Sequence, residues 1–289
     1  MDQRIARRDL PDLVGKRPLE YVSNEEGARR LLIYNLEVNA VDHCNLTCRQ
    51  CSHMAPIRPP GFLDPAEALE EMRRLATACR VNALCLLGGE PLLHPRLHDL
   101  IVACREAELC EYLYLTTNGT LVRSQPVALW RLLDFIVISV HHGGVSLAEA
   151  RQLQQDLAPH VIVRIVTDEF RQLYLSRRLG GADARYVWRT CEQAHDLRCH
   201  FLHRGRYYVC PTQRFITDHL AEAAGRHLPD GGLDISRPHL FRRLERYLQA
   251  ETGPAACHHC LGSAGAAIPD HATRGGHDWR LFECETDER

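Results

Sequence analysis

Three closely spaced cysteines lie early in the chain. Cys44, Cys48 and Cys51 fall within eight residues and directly follow an apolar, strand-like stretch. Three thiolates can ligate three irons of a four-iron cluster, which leaves the fourth iron without a protein ligand. Such an iron can bind a small molecule through its amine and carboxylate and pass it an electron. The spacing therefore predicts an open redox cluster, with a zinc site or three unrelated buried thiols as the alternatives.

A second motif closes the next strand-like run, where the sequence reads Gly88-Gly89-Glu90-Pro91. Together and in this order, the two motifs resemble the signature of the radical S-adenosylmethionine (radical SAM) superfamily. The resemblance implies that the three cysteines hold a [4Fe–4S] cluster whose open iron binds the amine and carboxylate of SAM. One electron from the cluster would then cleave SAM into methionine and a 5′-deoxyadenosyl radical.

The resemblance also implies which residues surround SAM. The two glycines of the second motif are expected to let the chain pass close to the cofactor. Glu90 would accept a charge-assisted hydrogen bond from the methionine ammonium group. Asn118 and Ser139, which end the next two predicted strands, are expected to touch SAM. Arg164 would pair with its carboxylate, or else form an ion pair that only stabilises the fold.

Two positions depart from the superfamily pattern. Many members have an aromatic residue that packs on adenine just before the last cluster cysteine, where this chain has Gln50. Members with an appended cluster domain often have an aspartate where this chain has His141. Neither change affects the predicted ligation of the cluster.

A second cysteine set follows in the C-terminal part of the chain. Cys191, Gly205, Cys210 and the pair Cys257 and Cys260 resemble the pattern of the Twitch domain, a shortened relative of the SPASM domain. The resemblance implies that the four thiolates hold one auxiliary [4Fe–4S] cluster. Such a fully ligated cluster is suited to electron transfer or to shaping the substrate pocket. A four-cysteine zinc ribbon is the alternative.

Alternating periodicity predicts the elements that position these residues. Predicted strands cover 35–42, 81–87, 111–117, 135–140 and 161–166, and predicted helices cover 64–76, 98–107, 126–133 and 146–157. This alternation is typical of an α/β fold with parallel strands joined by crossovers, in which chemistry lies at the carboxyl ends of the strands. The superfamily resemblance makes this a partial (β/α)6 TIM-like barrel over 35–185, with a sixth strand near Tyr186 and Val187.

The remaining segments are assigned around that barrel. Residues 1–34 form an N-terminal extension, 186–262 a small α+β Twitch-like domain, and 263–289 an irregular tail. Within the second domain, Cys199 to Cys210 is predicted to be a hairpin that turns at Arg204 and Gly205. A helix is predicted over 238–249.

Composition narrows the class of partner. The 289 residues include 35 basic and 37 acidic side chains, so no electrostatic footprint for nucleic acid or an anionic membrane is present. No apolar run approaches the length that a membrane helix needs, and the N-terminus has no apolar targeting core. A cytoplasmic location is expected, where the 13 cysteines favour cluster ligation over disulfides.

The resemblance fixes the first chemical step more closely than the outcome. A compact core with one Twitch cluster resembles enzymes that oxidise or epimerise sugar and aminocyclitol units in antibiotic biosynthesis. The implied partners are such a small-molecule substrate and an external one-electron reductant, such as flavodoxin or ferredoxin. For epimerisation, Cys199 and Cys284 are candidate hydrogen-atom donors, with an inert thiol as the alternative for each.

Two other functions stay open at this point. One is radical modification of a ribosomally made peptide, by crosslinking or epimerisation. The other involves no catalysis, and makes the protein an iron–sulfur electron carrier or a zinc-structured binding protein.

Overall fold

The computed structural model describes residues 18–23, 27–141, 143–167, 170–175, 178–225 and 227–268. Its strands are β1 (Glu20–Ser23), β2 (Arg29–Val41), β3 (Cys79–Gly88), β4 (Cys110–Thr117), β5 (Phe135–Ser139), β6 (Ile162–Val166), β7 (Cys199–His203), β8 (Arg206–Tyr208) and β9 (Leu233–Asp234). Its α-helices are α1 (Pro65–Ala76), α2 (Leu97–Glu106), α3 (Val127–Trp130), α4 (Leu147–Leu157), α5 (Gly181–Arg189), α6 (Glu192–His195), α7 (Pro211–Ala224) and α8 (Leu240–Leu248).

The strands of the described residues form one sheet in the order β6-β5-β4-β3-β2-β7-β8-β9, with β1 added beside β2. Every pairing from β6 to β7 along this order is parallel, and β1, β8 and β9 pair antiparallel with their neighbours. The sheet does not close. This mostly parallel, open sheet with crossover helices confirms the predicted α/β class and partial barrel.

Helix α1 illustrates how local sequence builds the outer layer. The carboxylate of Asp64 accepts hydrogen bonds from the amides of Ala66 and Glu67, and Pro65 occupies the first helical position. Met72 and Leu75 are fully buried against the outer face of the sheet. The predicted start of this helix is therefore confirmed.

The inner face of β2 is polar, so the interior of the barrel carries side chains that can contact a ligand. Leu36, Val38 and Ala40 are buried in the main hydrophobic core, and Asn35, Glu37 and Asn39 alternate with them on the other face. In a parallel sheet covered by helices on its outer side, that second face lines the barrel interior rather than solvent.

The sixth barrel strand was predicted in the wrong place. Tyr186 and Val187 lie in α5, where Val187 packs with Leu261 in a small separate core. The sixth parallel strand is β7, which pairs with β2 on the opposite side of the sheet from β6. The β-branched and aromatic side chains favoured a strand locally, but their contacts with the C-terminal segment select a helix.

The hairpin prediction is confirmed. Strands β7 and β8 pair antiparallel, and Arg204 and Gly205 take positive φ angles of 47° and 69° in the turn between them. Helix α8 lies inside the predicted 238–249 helix. Helix α7 was not predicted. Residues 269–289 lie outside the described residues, as do residues 1–17.

Candidate active site

A cavity of about 550 Å³ opens at the carboxyl ends of the barrel strands. All three cysteines of the first motif line it. Other residues at its wall that the sequence analysis singled out are Gly88, Gly89, Asn118, Ser139, Gln50 and His141. The structure thus brings together most of the residues expected around SAM, and it does so where an α/β barrel carries its chemistry.

The loop that carries Cys44, Cys48 and Cys51, called the first cysteine loop below, follows β2 directly and is held from several sides. The amide of Leu46 donates to Cys44 Sγ at 3.4 Å, and Asn118 Nδ2 lies 3.7 Å from the same sulfur. Burial raises the pKa of Cys44 to about 12, and burial likewise raises the pKa of Cys51. Thiols in such surroundings ionise when a cationic metal centre supplies the compensating charge.

The glycine pair packs on the backbone of that loop. A Cβ atom on Gly89 would lie 1.8 Å from the carbonyl oxygen of His43, and one on Gly88 would lie 2.3 Å from that of Val41. The amide of Gly89 donates to the Val41 carbonyl at 2.8 Å. In the protein alone, these glycines are therefore required for close contact between β3 and the cysteine loop, a reason that the sequence analysis did not give.

Glu90 is fully buried and its carboxylate is engaged by the protein. Oε1 accepts hydrogen bonds from Thr117 Oγ1 at 2.7 Å and from the Leu92 amide at 3.1 Å, and Oε2 accepts one from the Asn118 amide at 2.8 Å. Burial raises its pKa to about 7. These bonds tie the end of β4 to the turn after β3. Glu90 is not among the described cavity-lining residues, and its contact with the SAM ammonium stays a prediction.

Arg164 lies away from the cavity. It shares the inner side of the sheet with Val137 and Thr116, but β6 is the edge of the open barrel and the side chain is exposed. Its guanidinium carbon stands 4.3 Å from the ring centroid of Phe135, a cation–π geometry. The described structure therefore does not bring Arg164 to the other SAM residues, and its expected pairing with the carboxylate stays a prediction.

Gln50 has a contact that the sequence did not reveal. Its Oε1 accepts hydrogen bonds from the amides of Leu173 and Tyr174, each at 2.9 Å. Tyr174 in turn donates from its hydroxyl to the Cys51 carbonyl at 2.7 Å and forms a bridge with Cys260. A short segment after β6 is thus fixed between the first cysteine loop and the second cysteine set.

The second cysteine set is grouped around the ends of short helices. Cys191 and Cys210 stand at the starts of α6 and α7, Cys257 lies within the 3₁₀ helix Ala255–His259, and Cys260 directly follows that helix. Burial raises the pKa of Cys257 well above its usual value, and charge on the other three thiols raises it further, because all four lie close together. The amide of Gly262 donates to Cys260 Sγ at 3.2 Å.

The four thiols fit a cluster of several metals. A Cβ atom on Gly262 would lie 3.2 Å from Cys191 Sγ, and one on Gly253 would lie 3.0 Å from Cys257 Sγ, so small residues leave the space around the sulfurs open. Across residues 18–268 as described, no three His, Cys, Asp or Glu side chains are close enough to hold one metal ion. Thiolates and amide-to-sulfur hydrogen bonds are the usual surroundings of an iron–sulfur cluster.

The two candidate hydrogen-atom donors differ in what the structure says of them. Cys199 begins β7 and hydrogen-bonds to the carboxyl group of Glu37, which lines the cavity, whereas Cys199 is not among the described lining residues. Burial raises its pKa well above the usual value, and Glu37 raises it further. Cys284 lies outside the described residues.

Several cavity residues were missed by the sequence analysis. Glu37, His53, Arg171 and Glu192 are titratable residues of its wall, and Cys85 also lines it, with its sulfur 3.2 Å from Thr116 Oγ1. A signal existed for Glu37. Polar residues that alternate along a strand covered on its outer side must face the barrel interior.

The model of the Radical SAM superfamily matches residues 38–205, which is more than half of the 289 residues. The chain belongs to the radical SAM superfamily. Membership implies SAM and one [4Fe–4S] cluster as cofactors, and it favours an enzyme over the carrier or zinc-structured protein considered above. Among the described residues, no helix is both long and apolar enough to cross a membrane.

The curated relatives match only part of this chain. GTP 3′,8-cyclase of Cronobacter sakazakii is 31% identical over 160 residues, which are 53% of this chain and 42% of that protein. GTP 3′,8-cyclase of Aquifex aeolicus is 33% identical over 112 residues, 37% of this chain and 34% of that protein. This radical SAM chain therefore spans less than half the length of these relatives.

Solved structures with a similar fold are distant in sequence. The structure of BtrN in complex with AdoMet and 2-DOIA is 16% identical, has a TM-score of 0.45, and covers 81% of this chain and 95% of that chain. SuiB of Streptococcus suis bound to S-adenosylmethionine is 13% identical, with a TM-score of 0.38 and coverage of 73% and 65%.

Proposed function

We propose that this radical SAM protein abstracts a hydrogen atom from a carbinol carbon of a sugar or aminocyclitol-type intermediate, which leads to epimerisation or dehydrogenation. Cys44, Cys48 and Cys51 hold the cluster that binds SAM. When bound, that cluster supplies the electron that cleaves SAM into methionine and a 5′-deoxyadenosyl radical. The second cysteine set holds an auxiliary [4Fe–4S] cluster, and an external one-electron reductant completes the system.

The charge of the cavity wall is the observation that carries the choice of substrate. Among the described lining residues, Arg171 is the single arginine or lysine, whereas Glu37 and Glu192 are acidic. A triphosphate needs several cationic or amide donors around it. Hydroxyl and amino groups, in contrast, are well served by carboxylates, amides and serine or threonine hydroxyls. A neutral or amino-bearing polyol suits this wall better than a nucleoside triphosphate.

The cavity also lies between the two cysteine sets. Glu192 directly follows Cys191, and Gly262 lies two residues after Cys260. Both line the same cavity as the first cysteine loop. A substrate radical formed there would be near an electron acceptor, as dehydrogenation requires. This proximity supports an auxiliary cluster that takes part in the reaction.

A second candidate is a reaction on GTP. The curated relatives named GTP 3′,8-cyclase favour it through their sequence identity to part of this chain. The Cronobacter sakazakii protein matches 53% of this chain and only 42% of its own length, so the substrate contacts of the two need not agree.

One assay separates these functions. Anaerobically reconstituted protein is reduced with SAM and offered 2-DOIA deuterated at its carbinol carbons, GTP, or no substrate. We expect deuterium in 5′-deoxyadenosine from the polyol alone. Deuterium-free product with the polyol together with GTP consumption would replace the proposal by the second candidate.

The outcome of the reaction is tested with thiol variants. If the product is an epimer, loss of the donor in Cys199→Ala or Cys284→Ala diverts turnover to oxidised or stalled product. Cys85→Ala is compared in parallel, because Cys85 lines the cavity. Unchanged epimer formation in the first two variants would remove both predicted donors.

A further inference from the structure

Glu37 and His53 face each other inside the cavity without a hydrogen bond. The Glu37 Oε2 and His53 Nε2 atoms are 4.0 Å apart, beyond hydrogen-bond distance, and both side chains are 12% exposed. Neither atom has a hydrogen-bond partner among the described residues, although both are buried. Leaving two such atoms unpaired is costly, so a group that satisfies both is expected to bind there.

The other atoms of the two side chains are already engaged. Glu37 hydrogen-bonds to the thiol of Cys199. Ser52 Oγ lies 3.1 Å from His53 Nδ1, so a hydroxyl that donates to Nδ1 leaves the ring hydrogen on Nε2. The ring N–H donates, whereas the carboxyl group of Glu37 accepts when it is ionised and can also donate when it is protonated.

The spacing selects the chemistry of the missing group. An atom about 2.8 Å from both Oε2 and Nε2 matches their spacing, because these two distances and the 4.0 Å gap form a triangle with roughly a right angle at that atom. A hydroxyl satisfies the pair in either protonation state of Glu37, because it accepts from the ring N–H and can either donate to a carboxylate or accept from a carboxylic acid. An ammonium group has no acceptor for the ring N–H.

We propose that Glu37 and His53 form a hydroxyl-binding subsite in the cavity, in which both side chains hold one hydroxyl group of the substrate. This inference deepens the proposed function and rests on it for the nature of the ligand. Glu37 lies four residues before the end of β2 at Val41, about 13 Å below that end along the strand, and His53 lies two residues after Cys51. The subsite thus joins the wall of the barrel to the segment that follows the first cysteine loop.

Neighbouring polar groups extend the subsite. Cys85 pairs with Glu37 across β2 and β3, and Tyr114 pairs with Cys85 across β3 and β4, so the three residues stand at one level of the barrel. All of them line the cavity. The hydroxyl of Tyr114 donates to Asn35 at 2.9 Å, which leaves its oxygen able to accept from a second ligand group.

The test measures polyol binding separately from SAM chemistry. The probes are scyllo-inositol and 2-deoxystreptamine, added to reconstituted holoenzyme with SAM, and binding is followed by ligand-observed NMR titration. We expect Glu37→Gln and His53→Phe each to weaken binding 10- to 100-fold. Because both side chains contact one hydroxyl, the double variant should lose less than the product of the two single losses.

Glu71→Gln is the matched control. Glu71 is a partly buried carboxyl group whose pKa is also raised by burial, but it lies outside this cavity. The Glu71→Gln variant should bind both probes as tightly as the wild type does. All variants are also checked for iron content and for SAM binding, so that a loss of probe affinity counts only in protein that holds its clusters and SAM.

The outcomes separate the two proposals. Wild-type affinity in Glu37→Gln and His53→Phe would overturn the subsite, and so would failure of both probes to bind the wild type. Probe binding that depends on Glu37, without hydrogen abstraction from any polyol, would keep the subsite and overturn the proposed reaction.

Discussion

Glu37 is a carboxyl group inside the barrel, and its burial has a consequence for the pH dependence of stability. Burial raises its pKa from 4.5 to about 8, against a smaller lowering by the hydrogen bond with Cys199. Between those two pH values the folded state holds a proton that the unfolded state has released. The contribution of this group is therefore fully present below pH 4.5 and is lost as the pH rises through 8.

Glu37→Gln removes this titration. As the pH rises from about 4.5 to about 8, the free energy of unfolding of the wild type should fall by about a few kcal/mol relative to that of the variant. Denaturant unfolding of anaerobic, substrate-free protein at several pH values measures it. Parallel pH profiles for the two proteins would contradict the buried, raised carboxyl group.

At the residue scale, the spacing of residues along the chain was enough to predict the parts of the site that depend on nearby sequence. The three cysteines of the first loop, Asn118 and Ser139 were predicted and do line one cavity. Arg164 was expected there because its strand ends at the same rim, but whether an edge strand reaches the cavity depends on how far the barrel closes. That property is set by the whole sheet, and no local pattern contains it.

The end of β3 is the element on which the first cysteine loop rests. The Gly89 amide hydrogen-bonds to Val41, the Glu90 amide hydrogen-bonds to His43, and a side chain at Gly89 would overlap His43. Because the obstacle is backbone, it can move only if the loop moves. The local cost of a methyl group there is thus a displaced cysteine loop.

Gly89→Ala is expected to lower the free energy of unfolding by about 3 kcal/mol or more. Thermal unfolding of the reconstituted protein measures the loss, and iron content reports on the loop. Gly180→Ala is the matched control, since no atom lies within 4 Å of its added Cβ, and its loss should stay within about 1 kcal/mol. Equal effects in both variants would contradict the packing described.

Gln50 connects a second element to that loop. It accepts two amides from the segment after β6, and those donors are left unpaired if the acceptor is lost. Gln50→Leu should therefore cost about 2 to 4 kcal/mol. Gln50→Glu keeps an acceptor of the same length and should cost less. If the two variants unfold at the same temperature, the hydrogen bonds do not stabilise the segment.

At the element scale, periodicity and caps were sufficient for the barrel. The structure places α1, α2, α4 and the strands β3, β4, β5 and β6 within a few residues of their predicted bounds. Strand β2 is longer than predicted and begins at Arg29, since its first half pairs with β1 and β3. Pairing with neighbouring strands can extend a strand beyond the residues whose alternation of apolar and polar side chains predicts it.

At the scale of the whole molecule, one buried carboxylate joins the barrel to the hairpin of β7 and β8. Asp42, just after β2, accepts hydrogen bonds from Arg58 at 3.1 Å and from Arg204 at 3.0 Å, and His203 lies 3.5 Å away. Burial alone would raise its pKa, but these three side chains outweigh burial and hold the pKa below its usual range. The network fixes the hairpin turn beside the first cysteine loop.

The arrangement of the two cysteine sets was beyond sequence analysis. Placing β7 beside β2 makes the sheet continuous across residue 186, so the division into a barrel of 35–185 and a second domain stays a prediction. It also brings Cys199 next to Glu37. Contacts between residues more than 150 positions apart depend on the sheet order, which local propensity does not encode.

The central claim is that the first cysteine loop holds a cluster with an open iron for SAM. Electron paramagnetic resonance of reduced, reconstituted protein tests it most directly, in the wild type and in a Cys191→Ala, Cys210→Ala variant that isolates the first set. Addition of SAM should change the spectrum of the reduced cluster in both proteins. Identical spectra with and without SAM, or reconstitution with zinc in place of iron and sulfide, would contradict the claim.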